Sequence, residues 1–139
     1  MSPDEFTEQL RSSLGVPDLA FNDQHVCRLL VGEDLVIDLE YLDEPRQIQV
    51  YSGLGPAPKG REALVELLAA NLFGRATSGA TLAVDDEQEE IVLCRSFDLD
   101  TLQIERCVAE LNEFAHAATF WSDRLAGLEL GVDDPVTPE

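Results

Sequence analysis

The stretch VCRLLVGEDLVIDLEYLDEPRQIQVYSGLG, residues 26–55, decides the fold. Val26 to Val31 is a short apolar run, and Gly32-Glu33-Asp34 is a turn. From Leu35 to Tyr41 the side chains alternate, with Asp38 and Glu40 opposite Ile37, Leu39 and Tyr41. Asp43-Glu44-Pro45 turns again, and Gln47 to Tyr51 alternates once more. Turns this short join antiparallel neighbours, because parallel strands need long crossovers. The stretch therefore predicts a three-stranded antiparallel meander with one apolar face and one mixed face.

Helical patterns flank it. Upstream, Ser2-Pro3-Asp4-Glu5 has an N-cap serine, a proline suited to the first turn and a glutamate that completes a capping box. Phe6, Leu10 and Leu14 then share one face, and Gly15 and Pro17 stop the helix, predicted over 3–14. Downstream, the loop from Gly53 to Gly60 leads into a helix predicted over Arg61 to Phe73. Leu64, Leu67, Leu68 and Leu72 form one stripe; Val65, Ala69 and Phe73 form a second. The apolar arc spans roughly 240°, against roughly 100° for a helix resting on one core. The excess implies a second buried surface beyond its own sheet; the alternative is a central helix fully covered within the monomer.

A connection over 74–79, expected to be flexible, precedes strands at Thr81–Val84 and Ile91–Arg95. The acidic run Asp85 to Glu90 reads as the solvated turn between them. The last helix is expected to start with Asp100 as N-cap, Gln103 as its return partner, and Leu99 and Ile104 as a hydrophobic staple. Its spacing runs to Ala126, with Gly127 as the stop. The expected fold class is α+β: helix, three strands, helix, two strands, helix, with an antiparallel sheet packed against the helices. One domain over 1–126 and an acidic, disordered tail over 127–139 complete the expected organisation.

Across its 139 residues the chain has 28 Asp and Glu against 9 Lys and Arg, a formal net charge of −19. That balance argues against nucleic acid and against anionic membrane surfaces as partners. It favours basic partners. No apolar run approaches a membrane span, and the N-terminus lacks the pattern of a secretory signal, so a soluble cytoplasmic protein is expected. Cys27, Cys94 and Cys107 are far apart and outside any CxxC, which suits reduced thiols.

Motifs for chemistry are absent. Gly53-Leu54-Gly55 runs into Pro56, which removes a donor that a phosphate loop needs. The sequence holds no HExxH and no GxSxG. His25 and His116 are isolated, and the run 85–90 lacks the glycine and spacing of a calcium loop. The reading is therefore no catalytic residues, no metal site and no cofactor.

The order of elements, with Val36-Ile37-Asp38-Leu39-Glu40, Val50-Tyr51-Ser52-Gly53-Leu54-Gly55, Leu67-Leu68-Ala69-Ala70-Asn71 and the Phe114, Ala117-Ala118, Trp121 positions of the last helix, resembles the class I chaperones of bacterial type III secretion, the Tir chaperone family. The resemblance covers about 3–126. It implies a small acidic cytoplasmic homodimer, without enzymatic activity, that binds the N-terminal segment of a cognate effector and keeps it soluble, non-globular and competent for secretion. On that reading the dimer surface would comprise Leu64, Val65, Leu68, Ala69, Leu72 and Phe73 with Ile91 and Leu93 of the strand. Effector binding would fall to Phe6, Leu10, Leu19, Phe21, Val26 and Leu29, each of which is equally readable as ordinary core. Two alternatives stand beside it: a regulatory protein of the same fold that sequesters a transcriptional regulator or anti-activator, and a small acidic enzyme with a carboxylate site.

Overall fold

A computed structural model describes residues 1–129. The elements run α1 (Pro3–Leu14), β1 (Val26–Val31), β2 (Leu35–Asp43), β3 (Arg46–Pro56), α2 (Arg61–Ala70), β4 (Thr81–Asp85), β5 (Glu90–Asp98) and α3 (Ile104–Glu129). The strands form one antiparallel sheet of order β1-β2-β3-β5-β4. The expected meander and the α+β order are both present.

Local chemistry explains the first helix. The Ser2 hydroxyl accepts from the Glu5 N–H at 3.1 Å, and the Glu5 carboxylate accepts from the Ser2 N–H at 2.9 Å. Gly15, at φ 68°, closes the other end and donates to the Arg11 carbonyl. A left-handed residue there suits glycine, which has no Cβ to clash.

Register sorts the sheet into two faces. Leu39 pairs with Val50, Ser52 with Leu93, and Leu82 with Leu93 from the other side, so these residues share one face. That face is covered by α3, whose Leu111, Phe114, Ala118, Trp121 and Leu125 are buried with Ile37, Ile48 and Val50. α1 packs on α3. The opposite face carries paired polar side chains: Arg28 donates in bidentate fashion to Asp38 at 2.9 and 3.1 Å, and the Tyr51 hydroxyl donates to Glu40 at 3.4 Å. A bulge between Gly53 and Gly55 bends the end of β3 beneath Leu125.

β3 runs on to Pro56, through the start of the expected loop, β5 spans Glu90–Asp98, and three helix boundaries differ from expectation. α2 ends at Ala70, not Phe73; a 3-10 turn over Leu72–Gly74 follows, with Phe73 at φ 56°. Asn71 keeps helical dihedrals while its side chain is held by β4, and the backbone leaves the helical path at Phe73. α3 starts at Ile104 because Asp98, not Asp100, organises the preceding turn. The Asp98 carboxylate accepts from the Asp100 N–H at 2.8 Å, while the Asp100 carboxylate is taken by Arg46. Leu99 and Ile104 are nevertheless both buried. Gly127 does not stop α3, which continues to Glu129. The rest of the expected tail, 130–139, lies outside the described residues.

The connection over 74–79 is tied down rather than loose. Thr77 is fully buried and donates through its hydroxyl to the Ala80 carbonyl at 2.6 Å. The Trp121 indole N–H donates to the Ala76 carbonyl at 2.8 Å.

Candidate protein-binding surfaces

Two surfaces leave apolar side chains and backbone groups open to solvent. The first is built by α2, the 3-10 turn and β4. Leu67 and Ala70 turn inward. Val65, Leu68, Leu72, Phe73 and Val84 are exposed, with Phe73 at 84 % and Leu68 at 69 %. Between α2 and β4 runs an apolar groove of about 210 Å3, floored by Leu67, Leu82 and Ile91 and walled by Leu64, Leu68 and Val84. Apolar area this concentrated on a charged chain is a binding surface by default.

Its position is fixed by polar contacts. Arg124 of α3 donates to Glu66 of α2 at 2.6 and 2.7 Å. The guanidinium holds the Glu66 carboxyl below the usual carboxylate range, against the opposing effect of partial burial. The Arg75 guanidinium lies 5.6 Å from the Phe73 ring centroid.

The second surface is the β1 edge. The Tyr41 N–H donates to the His25 carbonyl, so alternation along the antiparallel ladder turns the Val26, Arg28 and Leu30 peptide groups away from β2. Asn22 closes the Val26 rung: its side-chain oxygen accepts from the Val26 N–H, and its own N–H donates to the Val26 carbonyl. The Arg28 and Leu30 rungs face solvent, and the Leu30 side chain is 75 % exposed. At the start of this edge Phe21 bridges Phe6 and Tyr41, with ring centroids 6.4 and 6.0 Å away, and His25 stacks on Tyr41 at 4.3 Å.

The sites expected from the sequence divide accordingly. Leu64 is half-buried, while Val65, Leu68, Ala69, Leu72 and Phe73 are exposed on one continuous face. Ile91 and Leu93 are not exposed on it: both are buried in the monomer, because their register places them under the helices, and Ile91 reaches the surface only as part of the groove floor. The β5 residues on the opposite face are Val92 and Cys94. Of the expected effector contacts, Phe6 and Leu10 are core residues, since α1 has a single apolar stripe and packs it inward, and Leu19 of the following loop is buried in the same core. Phe21, Val26 and Leu29 stay half-buried. Leu30 and Val84 were missed. Leu30 sits in Leu29-Leu30-Val31, which carries no alternation to show which side faces out. Val84 looked like any strand residue until β4 proved to be an edge.

No group of three or more His, Cys, Asp or Glu side chains that could hold a metal occurs among the described residues. A polar cleft of about 380 Å3 lies by Ser96, Thr101, Gln103 and Cys107. Its thiol is no nucleophile: burial pushes Cys107 up to about 12. No helix of the described residues is long and apolar enough to cross a membrane.

Sheet and helices together define an α+β domain with exposed apolar faces. Its fold is that of known secretion chaperones. It superposes on the HopA1–SchA chaperone–effector complex with a TM-score of 0.72 at 15 % identity, covering 86 % of this chain and 92 % of that one. For the ExoU–SpcU complex of the Pseudomonas aeruginosa type III secretion system the values are 0.67 and 21 %, covering 88 % and 95 %. For the Yersinia pestis type III secretion chaperone SycH, solved with a fragment of YscM2, they are 0.67 and 16 %, covering 84 % and 96 %. No curated protein sequence matches the chain. The chain belongs to the Tir chaperone protein (CesT) family, whose model matches residues 5–122.

Proposed function

We propose that this protein is a type III secretion chaperone. In the bacterial cytoplasm it binds the N-terminal segment of a cognate effector and keeps that segment soluble, extended and competent for export. It acts by binding, not by catalysis. Family membership across residues 5–122 carries this reading.

The working form is a homodimer joined through Leu64, Val65, Leu68, Ala69, Leu72 and Phe73, with Val84 at the margin. Supporting this is the apolar arc of α2, of which the monomer buries only one side. A twofold axis would set two such faces against each other. The effector segment is proposed to lie along the β1 edge, hydrogen-bonding to the Arg28 and Leu30 rungs and placing apolar side chains near Phe21, Val26, Leu29 and Leu30. The net charge of −19 favours a segment that also carries lysine or arginine.

The test is affinity capture of the tagged protein from its native bacterium under secretion-inducing conditions, followed by mass spectrometry. The expected result is one dominant secreted protein, lost when its N-terminal region is deleted. A partner retained after that deletion, or none specific, overturns the reading. Capture of a transcriptional regulator would put the protein in a regulatory role instead.

A further inference from the structure

We infer that Asn71 is a gatekeeper that withdraws the β4 edge from strand pairing. β4 is the last strand of the sheet, so among the described residues one side of its backbone has no neighbouring strand. The Asn71 amide occupies that side: its Nδ2 donates to the Leu82 carbonyl at 2.9 Å, and its Oδ1 accepts from the Leu82 N–H at 2.7 Å. One side chain thus makes both hydrogen bonds that one residue of an added antiparallel strand would make. The preceding outward rung, Ala80, is closed in the same way by Thr77, whose carbonyl accepts from the Ala80 N–H at 3.0 Å and whose hydroxyl donates to the Ala80 carbonyl. Val84 is left as the outward rung of β4 without such a clamp.

The two edges of the sheet are therefore unequal. At β1 a side-chain clamp from Asn22 covers the first rung and leaves Arg28 and Leu30 open. At β4 two clamps cover Ala80 and Leu82. An exposed edge pairs with any extended chain that reaches it, including a second copy of the same edge. Asn71 directs an incoming extended segment to β1 and prevents β4 from joining chains end on end. It does so from the end of α2, next to the turn that carries the exposed Phe73, so edge closure and apolar-face presentation lie side by side.

The inference leans on the chaperone reading only for the identity of the strand kept out; both readouts use the isolated full chain. The first is residue-resolved amide exchange of wild type, Asn71→Ala and the isosteric Asn71→Asp. Thr81 and Ala83 turn their amides toward β5 and serve as internal references. In Asn71→Ala the Leu82 amide should exchange at least about tenfold faster relative to those references. Asn71→Asp keeps the acceptor for the Leu82 N–H and loses the donor to its carbonyl, so exchange should fall between the other two. The second readout is mass by light scattering across a concentration series. Both variants should form species larger than wild type as concentration rises. A Leu82 amide that stays as slow as in wild type overturns the clamp. An opened Leu82 amide with wild-type mass at every concentration overturns the gatekeeping role. If Asn71→Ala does not fold, Asn71→Asp decides both points. Failure to capture an effector would count against the chaperone reading and leave these outcomes untouched.

Discussion

Arg124 and Glu66 meet in a two-pronged ion pair, Nε to Oε2 at 2.6 Å and Nη2 to Oε1 at 2.7 Å, that bolts α2 to the last turns of α3. Both side chains are half-buried, so the pair is less open than a surface pair to screening by solvent. It fixes where the apolar face of α2 points.

Glu66→Gln should lower the stability to urea unfolding by about 1–3 kcal/mol at neutral pH, the usual worth of a charged hydrogen bond. The carboxyl titrates lower in the folded chain than in the unfolded one. Its contribution is therefore fully present above the unfolded carboxylate range and is lost as the pH falls through the folded value. The gap between wild type and variant should close on acidification. A gap constant from pH 7 to below the carboxylate range would contradict the assignment.

Phe73 is exposed and left-handed at once, a combination that backbone preference disfavours. Phe73→Asp should leave the monomer folded and shift the mass from dimer to monomer. Phe73→Gly should relieve about 1 kcal/mol of backbone strain and yet weaken the dimer. Light scattering paired with thermal unfolding separates the two. A dimer unaffected by Phe73→Asp would move the interface elsewhere.

Leu30→Glu touches an exposed side chain, so its effect on stability should stay within about 0.5 kcal/mol. Retention of the effector segment should nonetheless fall by at least about tenfold, since the change places charge where an apolar side chain is expected to dock. Leu10→Ala should behave in the opposite way. It hollows a fully buried site and should cost about 2–5 kcal/mol of stability. Wild-type capture by a folded Leu30→Glu variant would exclude the β1 edge as the binding site.

The thiols should be graded by access. Burial raises Cys27, Cys94 and Cys107, the last to about 12. Cys94 is half-exposed, while the other two are buried. A thiol reagent at mildly alkaline pH should label Cys94 first and slowly, and reach Cys27 and Cys107 only on unfolding. Fast native labelling at Cys107 would show that the cleft beside it opens.

Much of the fold was legible from local pattern. The capping box at Ser2 and Glu5, the alternation through β2 and β3, and the doubled apolar stripe of α2 each follow from neighbours within a few residues. What was misread depended on distant partners. α2 was read to Phe73 because nothing near Asn71 shows that its amide will meet Leu82. Asp100 looked like a cap until Arg46 claimed its carboxylate. Ile91 and Leu93 were assigned to an interface because strand periodicity separates two faces without saying which one the helices cover.

The sequence by itself determined the order of elements, the acidic character and the family, since periodicity, capping and charge are short-range or additive properties of the chain. Tertiary structure decided which apolar residues remain at the surface and which sheet edge stays open. Those outcomes depend on which strand lies last in the sheet and which side chains reach its free backbone. They are set by pairing between residues far apart in the chain, and a one-dimensional pattern does not encode that distance.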